Sequence, residues 1–172
     1  GPDFVTDTPV GVNGTITGYR TYLRVRVNNK SFHLARQCRA FLTEVKYVGD
    51  DGTLIPTPYC DSIQLAWAVR SGKDQFGAQD LAYDVPYFFD IVAFQIGAPI
   101  IEPKFEELPF RYHPTFKGFR MYQFGVMVAG DGVKPAHIQV RAKWDGRRET
   151  LATHAVLKEP TMIDPIIKIR PA

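Results

Sequence analysis

The chain has little serine, little cysteine, few histidines and no long apolar run, and each shortage closes off a class of protein. Ser31, Ser62 and Ser71 are the only serines among 172 residues, too few for a flexible serine-rich linker, so an ordered chain is expected. Cys38 and Cys60 are the only cysteines and do not make a disulfide framework. Both are expected to be free, Cys38 buried and inert on a strand. Cys60 should be the more reactive, because it lies in the turn-like Thr57-Pro58-Tyr59-Cys60-Asp61. A Cys38–Cys60 bridge would instead point to an oxidising compartment. The longest apolar stretches are interrupted early, Tyr87 to Phe94 by Asp90, far short of the roughly 18 residues of a membrane-spanning helix.

Catalytic signatures are also missing. His33, His113, His137 and His154 are not paired at metal-ligand spacing, and neither Gly-x-Ser-x-Gly nor His-Glu-x-x-His occurs. No metal or cofactor is expected. Arg70-Ser71-Gly72-Lys73 lacks the upstream glycine of a phosphate loop, and Asp74 stands where Ser or Thr should follow the lysine. Asn13-Gly14-Thr15 and Asn29-Lys30-Ser31 match the glycosylation acceptor pattern, a triplet that also arises by chance. Gly1-Pro2 without a methionine reads as the scar of tag removal, so a further segment is expected upstream and could be a membrane anchor, another domain or disorder.

What is present is strand periodicity. In Tyr22-Leu23-Arg24-Val25-Arg26-Val27, Leu23, Val25 and Val27 alternate with Arg24 and Arg26, the period-2 mark of a half-buried strand. The pattern predicts strands near 20–27, 38–48, 62–69, 87–94, 121–128 and 137–144, with Leu23, Val25, Leu42, Leu65, Trp67, Ile91, Phe124, Val126, Val140 and Trp144 in the core. In 62–69 the inward set is Ile63, Leu65, Trp67 and Val69. Asp145-Gly146 predicts a two-residue type I′ hairpin into Arg148 to Val156. No stretch holds a 3.6-residue period over ten residues. The fold class is therefore all-β, a sandwich or barrel. Residues 1–18 read as an irregular lead-in with room for one edge strand, 19–157 as the domain, and 158–172 as an extended strand-plus-linker tail.

The run Leu23-Arg24-Val25-Arg26-Val27-Asn28-Asn29, followed by Ala35 and the strand Cys38 to Leu42, resembles the opening of bacterial immunoglobulin-like modules of the cell-adhesion-related (CARDB-like) type. Asp84-Val85-Pro86 before an apolar strand, and a final hairpin, are compatible with the same order. The resemblance covers residues 19 to 145. The chain departs from it in length, in a Pro-rich connection at 97–118, and in lacking the Cys…Trp…Cys core of antibody domains. It implies an immunoglobulin-like antiparallel sandwich with a binding or spacer role and no catalysis.

Two features suggest where binding would occur. The connection Gly97 to Gly118 carries Pro99, Pro103, Pro109 and Pro114 with Phe105, Phe110, Tyr112 and Phe116, too many prolines for a central strand. Long connections at sandwich ends often carry recognition, so Phe105, Phe110, Tyr112 and Phe116, with Arg111 as polar anchor, are the candidate docking residues for a protein or small ligand. The same rings could instead cap the core. Second, Tyr19 to Val48 is basic, Gly49 to Phe110 acidic and Arg111 to Lys158 basic. Such charge is what solvated strand faces carry anyway, but it leaves an anion- or nucleic-acid-binding alternative on Arg24, Arg26, Arg36, Arg39, Arg141 and Lys143, which would have to share one face. An enzyme built from dispersed residues is the third reading, marked by a His and a carboxylate facing each other in a pocket. Compartment, ligand and oligomeric state are not encoded in any motif.

Overall fold

The structure is a computed structural model that describes residues 5–12, 15–68, 72–147, 151–156 and 166–170. The chain forms two sheets packed face to face around one apolar core. The first sheet holds β1 (Val5–Val12), β2 (Thr15–Asn29), β6 (Ala66–Trp67), β8 (Pro86–Gln95), β9 (Ile101–Pro103) and β13 (Ile166–Ile169). The second holds β3 (Ala35–Val48), β4 (Leu54–Pro56), β5 (Ile63–Gln64), β7 (Gln79–Leu81), β10 (Arg120–Asp131), β11 (Ala136–Trp144) and β12 (Ala152–Val156). This is an all-β, sandwich-like architecture.

Strand alternation explains which side chains face inward. Leu23, Val25 and Val27 of β2 are fully buried, opposite Val92, Phe89 and Tyr87 of β8. In the second sheet Tyr122, Phe124, Val126 and Val128 of β10 lie beside Val140 and Ala142 of β11 and Ala40, Leu42 and Val45 of β3, all buried. Phe94 and Trp144 meet between the sheets with centroids 4.8 Å apart. Each such side chain withdrawn from water stabilises the fold by about 1.5–3 kcal/mol. All ten core residues named from the sequence are buried.

The structure corrects two sequence expectations and fills in two others. Residues 62–69 are not one strand. The chain pairs with β3 at Ile63–Gln64, donates Leu65 N to the Ala40 carbonyl (2.8 Å), then joins β8 at Ala66–Trp67. Leu65, Ala66 and Trp67 are consecutively buried, because a chain crossing between sheets is enclosed on every side. Val69 lies outside the described residues. The edge strand for which the lead-in had room is β1, which pairs with β2 from Val5 opposite Leu23 to Val12 opposite Thr15, with a register shift at Val10/Gly11. Pro9 is tolerated there because β1 is an edge strand. The connection after Trp144 is not a two-residue turn. Gly146 has φ +90°, but Asp145 lacks the positive φ a type I′ turn needs, and the last β11–β12 pair is Lys143 with Ala152. Finally, the 97–118 connection carries an edge strand and a 3-10 turn, as described below.

The tail expectation resolves into β13, which runs parallel to β2 from Ile166 beside Arg26 to Ile169 beside Asn29, with Ile167 and Ile169 buried. It follows β1 along the same edge of β2, since the other edge is taken by β8. The triplet at Asn29 is closed to glycosylation in this fold. Asn29 is fully buried, and its Nδ2 donates to the carbonyls of His33 and Leu81, both at 2.8 Å. The triplet at Asn13 lies outside the described residues.

Candidate functional site

The segment 97–118 is pinned along its length. Gly97, with φ +81°, turns the chain and donates to the Gly146 carbonyl at 2.9 Å, and Trp144 Nε1 donates to the Ala98 carbonyl at 3.0 Å. β9 then pairs with β8, and Pro103 is accommodated on that outer edge. Lys104 continues the ladder, donating to Ile91 and accepting from Ala66, each at 2.9 Å. Pro109 opens a 3-10 turn over Phe110–Phe116 through its carbonyl, which accepts Tyr112 N at 2.9 Å. A short turn of this kind tolerates Pro114 because few of its backbone donors are needed.

The candidate aromatics therefore divide. Phe105, Tyr112 and Phe116 are buried and converge on Tyr59, with centroids at 6.3, 4.8 and 6.2 Å. They cap the core, and of the three only Phe105 and Phe116 also line the cleft described below. Their neighbouring phenols donate to backbone carbonyls, Tyr59 to Leu42 (2.9 Å) and Tyr47 to Thr115 (3.0 Å), which meets the need of a buried hydroxyl for a partner. Phe110 is the exception. It is 87 % exposed and rests against His113, with centroids 5.4 Å apart.

Arg111 is exposed beside it, paired with Asp61 and stacked 4.8 Å above the Tyr112 ring. The Tyr112 hydroxyl donates to Asp61 Oδ2 at 2.8 Å and lies 3.4 Å from Cys60 Sγ. Hydrogen bonds from Tyr112 and Arg111 hold the Asp61 carboxyl below its ordinary range. The Tyr112 phenol is pushed up by its contact with Cys60, by burial and by Asp61. Cys60 is exposed and free. Cys38 is also free but buried, and burial, with Asp80 and Asp131 nearby, pushes its thiol up to about 11.

Between β9 and the 3-10 turn lies a cleft of about 290 Å³ with Ile101, Phe105, Leu108 and Phe116 on its walls and Glu102, His113 and Lys117 among its lining residues. Its composition, apolar with a few polar groups, is that of a small-ligand site, at the lower end of the usual size range. Glu102 is held by Arg20 through contacts of 2.9 and 3.1 Å. The sequence identified the segment but not the cleft, whose walls come from residues that only the turn brings together.

The basic set is split between the sheets. Arg24 and Arg26 lie on β2, whereas Arg36 and Arg39 lie on β3 and Arg141 and Lys143 on β11. Arg24 binds both Asp90 oxygens (2.7 and 3.3 Å), Arg26 Nε donates to Asn28 Oδ1 (3.0 Å), and Arg141 Nε donates to Gln123 Oε1 (2.8 Å). The single shared face that the nucleic-acid alternative requires is not formed by these residues.

Among the described residues no helix is long and apolar enough to cross a membrane, and no group of three or more His, Cys, Asp and Glu is placed to hold a metal ion. Comparison with protein-family models, with curated proteins and with solved structures finds no match to the chain.

Proposed function

We propose that this chain is a non-catalytic binding module, an immunoglobulin-like sandwich whose 97–118 connection takes a small apolar group in the cleft between β9 and the turn that carries Phe110. The group is either a free ligand or a side chain projecting from a docked protein. The observation that carries this reading is Phe110, a large ring left 87 % exposed on a turn whose next buried residues, Tyr112 and Phe116, fix it in place. Holding the ring in position before binding lowers the entropy cost of engaging it. The immunoglobulin-like reading is supported by two packed, mostly antiparallel sheets and by a chain that passes between them at Leu65. The parallel β13 departs from that pattern.

The test is titration with phenylacetate and with short peptides bearing one Phe or Leu, followed by amide chemical shifts. Shifts confined to Leu108, His113 and Lys117 and abolished by Leu108→Trp, which fills the cleft, are expected. No response to either probe class retires the proposal. One observation favours the enzymatic alternative: His113 and Glu102 line the same cleft. Ester hydrolysis abolished by His113→Ala, with folding intact, would replace binding by catalysis.

A further inference from the structure

At the other end of the β2–β8 pair, away from the cleft, the loops 30–34 and 82–85 project side by side. They carry Phe32, Leu34, Tyr83 and Val85, which are 85 %, 47 %, 45 % and 43 % exposed. Phe32 and Tyr83 stack on each other with centroids 4.5 Å apart. Apolar side chains left in water lose the stabilisation that burial would give, so four together on two adjacent loops call for an explanation.

The loops are held in this arrangement. The buried Asn29 bonds across both through the carbonyls of His33 and Leu81, and its Oδ1 accepts Ser31 N at 2.9 Å. Ser31 Oγ accepts His33 N at 3.1 Å, so the backbone on both sides of Phe32 is fixed. Asp84 donates its N–H to the Asn29 carbonyl (2.8 Å), pairs with Lys30, and takes φ +54° between the exposed Tyr83 and Val85. A non-glycine residue in the left-handed region is uncommon and is kept only where its surroundings fix it.

Cations surround this tip. The loop is tied to the end of β13 by Lys30 N donating to the Ile169 carbonyl (3.1 Å), and Lys134 N donates to the Arg170 carbonyl (3.2 Å). Lys30 and Asp84 pair with each other, and Arg36 lies opposite Asp131 in the β3–β10 register. The exposed Lys134, Lys168 and Arg170 are then set against the exposed Asp80, which the Gln37 N–H engages. Aromatic and aliphatic tips set among cations match the layering of a bilayer surface, where rings and short apolar chains sit at headgroup level and basic residues meet anionic lipid.

We propose that this end of the sandwich docks on a membrane surface rich in anionic phospholipid, with Phe32, Leu34, Tyr83 and Val85 entering the headgroup layer and Lys134 and Arg170 contacting the phosphates. A protein partner fits the shape less well, since stable interfaces engage roughly 20–30 residues a side. Here four side chains stand on two narrow loops.

The test is sedimentation with vesicles of phosphatidylcholine alone and of phosphatidylcholine mixed with phosphatidylserine. Binding to the mixed vesicles, weak binding to the neutral ones and release by high salt are expected. Phe32→Ala with Tyr83→Ala should weaken binding roughly tenfold or more without moving Tm, and Lys134→Glu with Arg170→Glu should do the same. Trp67 and Trp144 are buried, so a vesicle-induced blue shift of fluorescence in Phe32→Trp reports position 32. Absence of binding to the mixed vesicles, or binding that Phe32→Ala with Tyr83→Ala leaves intact, overturns the proposal. So does equal binding to neutral vesicles, or a solution dimer dissolved by Phe32→Ala, which would assign the tip to a second copy.

Discussion

Two aromatic regions of this molecule carry similar side chains and treat them in opposite ways. In 97–118 the rings of Phe105, Tyr112 and Phe116 turn into the core while Phe110 stays out, whereas in 30–34 and 82–85 the rings of Phe32 and Tyr83 both turn out. Proline content does not decide which occurs. The deciding factor is what lies beneath each loop. The 97–118 connection spans the gap beside β8 and β3, where Tyr59 and Tyr47 leave apolar surface to be covered. The tip loops close over Asn29, whose hydrogen bonds fill the space under them. A loop above an apolar gap supplies a cap, and one above a satisfied polar side chain leaves its rings in water.

The largest effect that would break this comparison is in the cap. Phe116→Ala should cost roughly 3–5 kcal/mol in chemical denaturation, and a small loss would mean that the ring is not a core element. Ile169→Ala should cost roughly 2–5 kcal/mol, because β13 closes the core beneath the tip end; a wild-type Tm would remove the tail from the fold.

The contrast recurs in the two thiols. Burial raises the Cys38 thiol from 9.0 in the unfolded chain to about 11 in the fold. Between these values the unfolded chain holds fewer protons, so the stability contributed by the neutral thiol is complete below pH 9 and is lost as pH rises towards 11. Cys38→Ala should flatten that part of the pH profile. The smallest effects are expected for Phe110→Ala and Phe32→Ala, each within about 0.5 kcal/mol of wild type by thermal unfolding. A larger loss at either ring would mean that it supports the fold and is not held in reserve for a partner.

The core was readable because Leu23, Val25, Phe124, Val126, Val140 and Trp144 obey a period that the backbone itself imposes. Ile63 to Val69 has the same period and misled, since alternation cannot register a chain that leaves one sheet for the other at Leu65. The edge strand β1 was legible only as room for one, because Thr, Gly, Asp and Pro are residues that an edge strand accepts as readily as a loop does. Within the candidate site, Phe110 and Tyr112 are two positions apart with opposite fates, a difference set by the placement of Tyr59 far upstream. Phe32 was missed although a visible signal existed: a large ring between Ser31 and His33, in a polar excursion that needed none.

The parallel pairing of β13 with β2 also has a consequence in time. A ribosome delivers Arg26 to Asn29 long before residues 166 to 169, which pair with them along the edge that β8 leaves open. Until those are made, that stretch of the first sheet offers unpaired backbone to any neighbouring chain, a route to misassembly for slowly completed sheets. Contacts so distant in sequence also slow folding once synthesis allows it. Production at low temperature or with a chaperone that shields strand edges should therefore raise the folded yield more than substitutions in the core.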